Sequence, residues 1–532
     1  MDISRTLATG DLNGDGVGDL VIASDSHGAL GAVHIVFGRA SWSTNVNTMP
    51  AIADVTLSGA VGQRMARAVT VGDLNGDGIG DLVVGSTLFD PGGLEDAGAV
   101  LIYFGANTWP ATLGLTDAHV TLAGDVAFGQ FGYSLCAADL DGDGTDDLAV
   151  TAPWHSFTRT MGGVETNLVH YGKVYLFRGT NHWPAAPALD TAMTVIHGIH
   201  ENSLVGSHLW AGDVNGDGRA DLFLGANQAL PTGVTPGPPS KKIGIVWGIL
   251  GRAAALWPAS DDLLHFESAT LGELVDFYTQ GNNAAYGIGY RGACGDFDGD
   301  GLQDVVIGGI PSGSALYVFF GRTNFGEYEP MTPTDADVRR DRVLYWGVAT
   351  SLNFVVNSIA VGDFDGDGLD DLATGFSTAN VSGRNQVGLV ALRYGRSSWP
   401  LLGEDDDVLY HGEAATDALG TMVALGDVTG DGKADLLMSA PNADRTGASN
   451  VGKVYLVTGH HSPPSMTLAI SGGTATLAVD SRSGRTCRLE VSGNLLDWSP
   501  LATWNSDGSI VSTNETVTPG SRFYRVLANP RP

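Results

Sequence analysis

Seven times along the 532 residues a nine-residue run of acids, amides and glycines recurs, and each time an apolar strand follows at once. The copies read DLNGDGVGD from Asp11, DLNGDGIGD from Asp73, DLDGDGTDD from Asp139, DVNGDGRAD from Asp213, DFDGDGLQD from Asp296, DFDGDGLDD from Asp363 and DVTGDGKAD from Asp427. Successive copies start 62, 66, 74, 83, 67 and 64 residues apart. A period that long accommodates about four short strands with their turns, which is a propeller blade and not a helical solenoid unit.

The rest of each period bears this out in pattern. An apolar stretch precedes each loop, as in FGYSLCAAD up to Asp139, and a second follows it, as in DLVVGS from Asp81, DLAVTAP from Asp147 and DLLMSAP from Asp435. A third is framed by glycines: GAVHIVFG from Gly31, GAVLIYFG from Gly98, GKVYLFRG from Gly172, ALYVFFG from Ala315 and GKVYLVTG from Gly452. A connector with Trp-Pro at Trp109, Trp183, Trp257 and Trp399 leads to a fourth: DVTLSG from Asp54, HVTLAG from His119, RVLYWG from Arg342 and DVLYHG from Asp407. β-Branched and aromatic residues bounded by Gly and Pro are strand signals, and no long segment of period 3.6 competes with them. The chain is therefore expected to be all-β: a seven-bladed propeller of four-stranded antiparallel blades over residues 1–460, with the tryptophans packed between blades. The outer strand of the seventh blade is not evident; either MTLAIS from Met466 supplies it or it lies upstream of Met1. After a linker at 461–465, residues 466–532 read as a small β-sandwich built from TATLAVD, TCRLEVS, PLATWN and RFYRVL.

The loops also name a ligand. Hard divalent cations take oxygen donors, and calcium takes six to eight of them at flexible angles. Side chains at positions 1, 3, 5 and 9 and the carbonyl at position 7 form the expected cage, with glycines at 4 and 6 permitting the tight turn. The candidate ligands are Asp11, Asn13, Asp15, Val17 and Asp19; Asp73, Asn75, Asp77, Ile79 and Asp81; Asp139, Asp141, Asp143, Thr145 and Asp147; and Asp213, Asn215, Asp217, Arg219 and Asp221. The remaining loops offer Asp296, Asp298, Asp300, Leu302 and Asp304; Asp363, Asp365, Asp367, Leu369 and Asp371; and Asp427, Thr429, Asp431, Lys433 and Asp435. Up to seven calcium ions are expected. The three loops with four acids should bind most tightly, and the loop with Thr429 most weakly. An EF-hand or dockerin loop would need its last acid at position 12, where Ile22, Val84 and Val150 stand. Zinc and other transition metals would call for His or Cys, which the loops lack.

The ligand positions explain the charge. Asp fills all of positions 1, 3, 5 and 9 except Asn13, Asn75, Asn215 and Thr429, which is 24 of the 59 acidic residues in a chain of net charge −31. Seven divalent ions would bring that to about −17. An acidic chain lacks the basic footprint that nucleic acid requires. No run of about 18 apolar residues is present to span a membrane. Cys136, Cys294 and Cys487 are odd in number and far apart, so they read as small buried hydrophobes and not as a disulfide framework. MDISRTLATGD enters the first repeat without a visible signal peptide, and the expectation is that the N-terminus is trimmed or mis-started.

Strand, DxNGDGxxD loop, DLxVGAP-like strand and GxVYxF strand together resemble the FG-GAP repeats of the integrin α-subunit propeller. The resemblance covers about residues 1–460, with the literal pairs at Phe131-Gly132, Ala152-Pro153 and Ala440-Pro441. It implies seven blades with calcium in the loop between the first and second strands. Integrins carry such loops in only some blades, and this chain has no inserted adhesion domain, so an integrin role does not carry over. The C-terminal module, with NLLDWSPL and RFYRV, looks like small β-sandwich modules of secreted planctomycete and verrucomicrobial proteins.

In an antiparallel meander the calcium loops and the Trp-Pro connectors share one face. Longer insertions, at 154–171, 226–242, 376–387 and 441–451, with the crossover at 267–285, fall on the other. Ligand binding is expected there, since variable loops on a rigid scaffold usually carry it. Trp154, His155, Phe157 and Arg159 form the local candidate cluster. Two functional classes follow: an extracellular or cell-surface adhesion module for a protein or glycan, or a lyase-like enzyme acting on polysaccharide, with a structural surface component as a further alternative. The 13 His form no paired motif and the acids outside the loops form no readable pair, so the binding module is favoured.

Overall fold

A computed structural model describes residues 6–530 apart from 25–30, 43–51, 61–64, 162–163, 199–202, 230–243, 263–275, 281–286, 311–315, 324–337, 341–354, 382, 398–407, 445–450, 461–464, 472–473, 481–484, 493–498, 506–509 and 517–522. Among these, regular structure consists of strands and a few single-turn 3-10 segments. The strands form a seven-bladed propeller followed by two small sheets.

The blades are built on antiparallel meanders, but blades one and three differ from the four-stranded expectation: Thr112–Leu113 and Ser260–Asp262 from the following connectors add a fifth strand, parallel to the fourth. The second blade runs Ala68–Gly72, Asp81–Ser86, Ala99–Tyr103 and Val120–Ala123, each strand paired with the next. The acidic loop lies between its first two strands. The second strands, such as Asp81–Ser86 and Asp147–Ala152, are buried along their whole length. The reason is their position mid-blade with a neighbour on either side: Val83 packs toward the third blade while Val84 packs toward the first. Alternate residues feed alternate cores, so the sequence shows a continuous apolar run instead of an in–out alternation. Trp109 and Trp183 pack into these inter-blade cores.

Among the described residues, the ring closes without a fourth strand in blade seven. Val423–Gly426, Asp435–Ala440 and Lys453–Val457 form a three-stranded sheet among the described residues. Leu7, Leu20, Ile22 and Val36 of blade one share a buried cluster with Ala424, Val428 and Leu437 of blade seven. Thr9 adds a hydrogen bond from its hydroxyl to the Leu425 carbonyl at 3.2 Å. MTLAIS does not supply the missing strand: Ser465–Ser471 pairs with Thr474–Asp480 in the C-terminal part.

Two other strands differ from expectation. The fourth strand of blade four is Phe277–Gln280, paired with Ile245–Ile249, inside what the sequence presents only as a long crossover. That of blade five is Val338–Arg340, and RVLYWG lies outside the described residues. Beyond the propeller, Ser465–Ser471, Thr474–Asp480 and Ile510–Thr516 form one sheet. Ser499–Asn505, Arg485–Ser492 and Phe523–Pro530 form the other. Leu477 and Val479 of the first pack with Leu489, Ala502 and Trp504 of the second, as in a sandwich. All three cysteines are free.

Candidate metal centres

The seven loops fold alike, because the first aspartate templates the turn. Its Oδ1 accepts the amide of the position-4 glycine at 2.6–2.7 Å, and its Oδ2 that of the position-6 glycine at 2.8–3.0 Å. Both glycines adopt positive φ throughout, 71–81° at position 4 and 81–90° at position 6, where a side chain would be strained. The position-5 carboxylate accepts the position-7 amide, as in Asp77 with Ile79 at 2.9 Å. Outside these bonds the carboxylates converge in three of the loops. Asp139, Asp141 and Asp147 each place an oxygen within 4.8 Å of the others', and so do Asp296, Asp298 and Asp300, and Asp363, Asp365 and Asp371.

The ninth-position aspartates Asp19, Asp81, Asp147, Asp221, Asp304, Asp371 and Asp435 are all fully buried. In every loop their Oδ2 accepts the position-2 amide at 2.7–3.2 Å. Their Oδ1 accepts a glycine amide just past the third strand, Gly38 through Gly459, at 2.8–2.9 Å. Each therefore staples its turn to its blade as well as facing the acidic cage. Burial pushes the carboxyls of Asp81, Asp147, Asp221 and Asp304 up to about 7 and that of Asp19 to about 6. Backbone donors pull the other way and neighbouring loop carboxylates add to the rise.

In several loops a cationic or N–H group pairs with the acidic side chains. Arg178, at the end of blade three's third strand, places Nε 2.8 Å from Asp141 Oδ2 and donates from Nη2 to Asp143 Oδ2 at 2.7 Å. The Nε contact is an ion pair out of line for a hydrogen bond, which leaves the buried Asp141 Oδ2 without a hydrogen-bond donor. Lys433 reaches Asp431 Oδ2 at 2.7 Å. In the second loop the Asn75 amide donates to Asp77 Oδ2 at 3.0 Å and to Asp81 Oδ1 at 3.4 Å. Oxygen-only cages with buried, mutually repelling carboxylates fit a hard divalent cation.

The loops are also linked to one another. The position-8 amide of each donates to the position-1 carbonyl of the loop before: Gly80 to Asp11, Asp146 to Asp73, Ala220 to Asp139, Gln303 to Asp213, Asp370 to Asp296 and Ala434 to Asp363, at 2.8–3.1 Å. Gly18 donates to Asp427 at 2.8 Å, so the chain of bonds returns on itself. Where position 8 has an acceptor, Asp146, Gln303 and Asp370 return the bond to the same residue's amide. Position 7 looks free to vary in sequence, yet its side chain rests on the neighbouring loop: Ile79 on Gly14, Thr145 on Gly76, Arg219 on Gly142 and Val17 on Gly430. The indoles of Trp109 and Trp183 donate to the position-2 carbonyls of Leu12 and Leu74 at 2.8 and 2.9 Å.

On the opposite face, the residues singled out as ligand candidates are engaged internally. His155 is buried, 3% exposed, with Nε2 3.0 Å from Asp125 Oδ1. Phe157 packs on His197 and Tyr171 at ring distances of 4.9 and 6.3 Å, and Trp154 meets His170 edge-on at 5.5 Å. Arg159 pairs with Thr166 in a ribbon of Phe157–Met161 and Val164–Leu168, and its side chain lies outside what is described. His155 and Phe157 thus help anchor the ribbon, with His155 buried and Trp154 and Phe157 partly exposed. Spacing could not show this, because Asp125 and His197 come from other parts of the chain.

Comparison with known proteins agrees with the geometry. The FG-GAP repeat profile matches residues 5–36, 65–103, 131–177, 355–392 and 419–457, in blades one, two, three, six and seven. Blades four and five carry the same loop bonds without a match. Phosphatidylinositol-glycan-specific phospholipase D of Homo sapiens is 34% identical over 166 residues, 31% of this chain and 18% of that protein. Integrin alpha-IIb of Mus musculus is 30% identical over 213 residues, 38% of this chain and 18% of that one. The matched stretches span under a fifth of these relatives' length. A solved glycoside hydrolase covers 75% of this chain and 94% of its own at 8% identity and a TM-score of 0.25, too low to carry an argument.

Proposed function

On the premise that the chain is a seven-bladed propeller of FG-GAP repeats, we propose that it is an extracellular, calcium-stabilised module that binds a protein or glycan ligand and performs no chemistry on it. The observation that carries the calcium reading is the sevenfold acidic turn, in three copies of which the carboxylate oxygens converge to within 4.8 Å of one another. In each loop the side chains at positions 1, 3, 5 and 9 and the position-7 carbonyl would hold the ion. Sites of extracellular type bind calcium at about 0.1–1 mM, which suits an extracellular medium. Among the described residues no helix is long and apolar enough to cross a membrane. The Asp125–His155 pair on the opposite face has its imidazole buried and closed to a polymer, which favours binding over catalysis.

Metal analysis of protein dialysed against calcium should find five to seven ions per chain. Removing them should lower the melting temperature by on the order of 10 °C, from the mass-action stabilisation of several weak sites. One ion or none would overturn the reading. Arrays of glycans and matrix proteins probed with and without chelator address the ligand, and turnover of a polysaccharide in such an assay would replace the binding reading with an enzymatic one.

A further inference from the structure

The inner strands of the seven blades surround the propeller axis, each touching the next and the seventh returning to the first. Their C-terminal ends lead into the acidic loops. Their N-terminal ends open on the other face, and there a set of residues gathers around the axis. Arg67 precedes Ala68–Gly72 in blade two, and Tyr133 precedes Leu135–Ala138 in blade three. His208 begins His208–Gly212 in blade four. Tyr290 and Arg291 lie in Gly287–Gly295 of blade five, where the strand's register shifts.

These side chains lie close together. The His208 ring sits 3.3 Å from the Gly292 carbonyl, next to Arg291, and the inner strands that carry the set are neighbours round the ring, so Arg67 and Tyr133 also bear on the charge of Arg291. Blades two and five are three places apart in a ring of seven, so Arg67 and Arg291 stand on opposite sides of the axis. The Arg67 guanidinium lies 4.1 Å over the Tyr133 ring and that of Arg291 4.4 Å over the Tyr290 ring. Arg291 also donates to the carbonyls of Asn357 at 2.7 Å and Tyr290 at 2.8 Å. Aromatic faces and carbonyls hold a cation in place but leave its charge uncompensated. Among the described residues no carboxylate pairs with either arginine, in a chain whose net charge is −31. The guanidiniums of Arg67 and Arg291, on inner strands of opposite blades, offer an anion positive charge and N–H donors from two sides of the ring.

We propose that this axial mouth binds a carboxylate presented by a protein partner: a single Asp or Glu side chain, or a chain terminus, on an otherwise non-acidic segment. Charge decides between a protein and a polyuronate. A polyanion must approach a strongly acidic molecule along its whole length, whereas a lone carboxylate on a neutral or basic segment meets only the local positive field. The proposal rests on the reading of this face as the ligand face, and it supplies the chemistry of the ligand.

The test is a selection of random linear peptides displayed on phage against the full calcium-loaded chain, with polygalacturonate tested in parallel by thermal shift. Enriched peptides should share one carboxylate and a net charge of zero or above. Binding of a synthetic winner should fall at least about tenfold on replacing that residue by its amide, or with Arg67→Gln. The Arg67 guanidinium rests on the Tyr133 ring at the strand's end and makes no carboxylate pair among the described residues, so this variant is expected to fold, and its calcium count checks that it has. Arg291→Lys, which keeps the charge but loses the fork, should bind weakly. Winners without an acid, winners indifferent to both substitutions, or polygalacturonate binding that depends on Arg67 would each overturn the proposal. Calcium binding is scored separately, so a protein that binds no calcium but retains Arg67-dependent peptides would sink the metal reading and leave this one standing.

Discussion

The ninth aspartate of each loop has both oxygens committed to backbone donors, one in its own turn and one at the end of the third strand. A metal bound as proposed would use the second lone pairs of a carboxylate already held in place, a rigid donor. The loops differ in what else enters the cage. At the third loop, Arg178 covers Asp141 and Asp143 while its own side chain is about half exposed, so it can swing away at modest cost. The acid count alone ranks this loop among the tightest; the arginine lowers it. Arg178→Gln should raise calcium affinity at one site by about three- to tenfold, the effect of removing a partly screened ion pair. The same variant should lower the melting point in chelator, because the acids lose their counter-charge. Calorimetric titration beside melts in chelator reads both, and an unchanged isotherm would sink the idea. The acids were legible in the sequence at fixed spacing. Arg178 was not, because it stands 31 residues beyond Asp147 and its meaning depends on which strand end faces which loop.

At the scale of the loop as an element, buried carboxylates set a pH dependence for the metal-free protein. Those of Asp81, Asp147, Asp221 and Asp304 titrate near 7 in the fold against an ordinary value of 3.8. A raised folded pKa means the fold binds more protons than the unfolded chain between those values, so stability falls as pH rises through that window. In chelator the melting temperature should drop from pH 5 to pH 8, and Asp81→Asn should flatten part of the slope. With excess calcium the slope should vanish or reverse, because only ionised carboxylates bind the ion. A metal-free melting temperature that is level or rising over that range would contradict the assignment. Strand elements were read less evenly than loops. Inner, second and third strands are bounded by glycine and the loop itself. The fourth strands of blades four and five stand out less: Phe277–Gln280 sits inside a long connection, and Val338–Arg340 precedes the more hydrophobic RVLYWG from Arg342.

For the whole molecule, closure is distributed over many contacts and not vested in one shared strand. The Gly18–Asp427 bond completes a cycle of seven loop-to-loop bonds, and the blade one–blade seven cluster completes the cycle of inter-blade cores. No sequence pattern announces this, since the partners are the two ends of the repeat region. Because each core is shared by two blades, the ring should unfold as one unit. The two C-terminal sheets have their own core of Leu477, Val479 and Leu489, with no acidic loop among them. Division after residue 460 should therefore separate two folding units. Gly459 bonds to Asp435 Oδ1 and His460 packs on Phe364 at 5.1 Å, so the cut must fall beyond them. A fragment ending at His460 should melt within about 3 °C of the full chain's main transition and keep its whole sensitivity to chelator, because no inter-blade core is lost. The 461–532 fragment should melt independently of calcium. Loss of the calcium-dependent transition from the longer fragment would show that the C-terminal sheets complete the ring, and the closure described by the Gly18 and Thr9 bonds would then be insufficient alone.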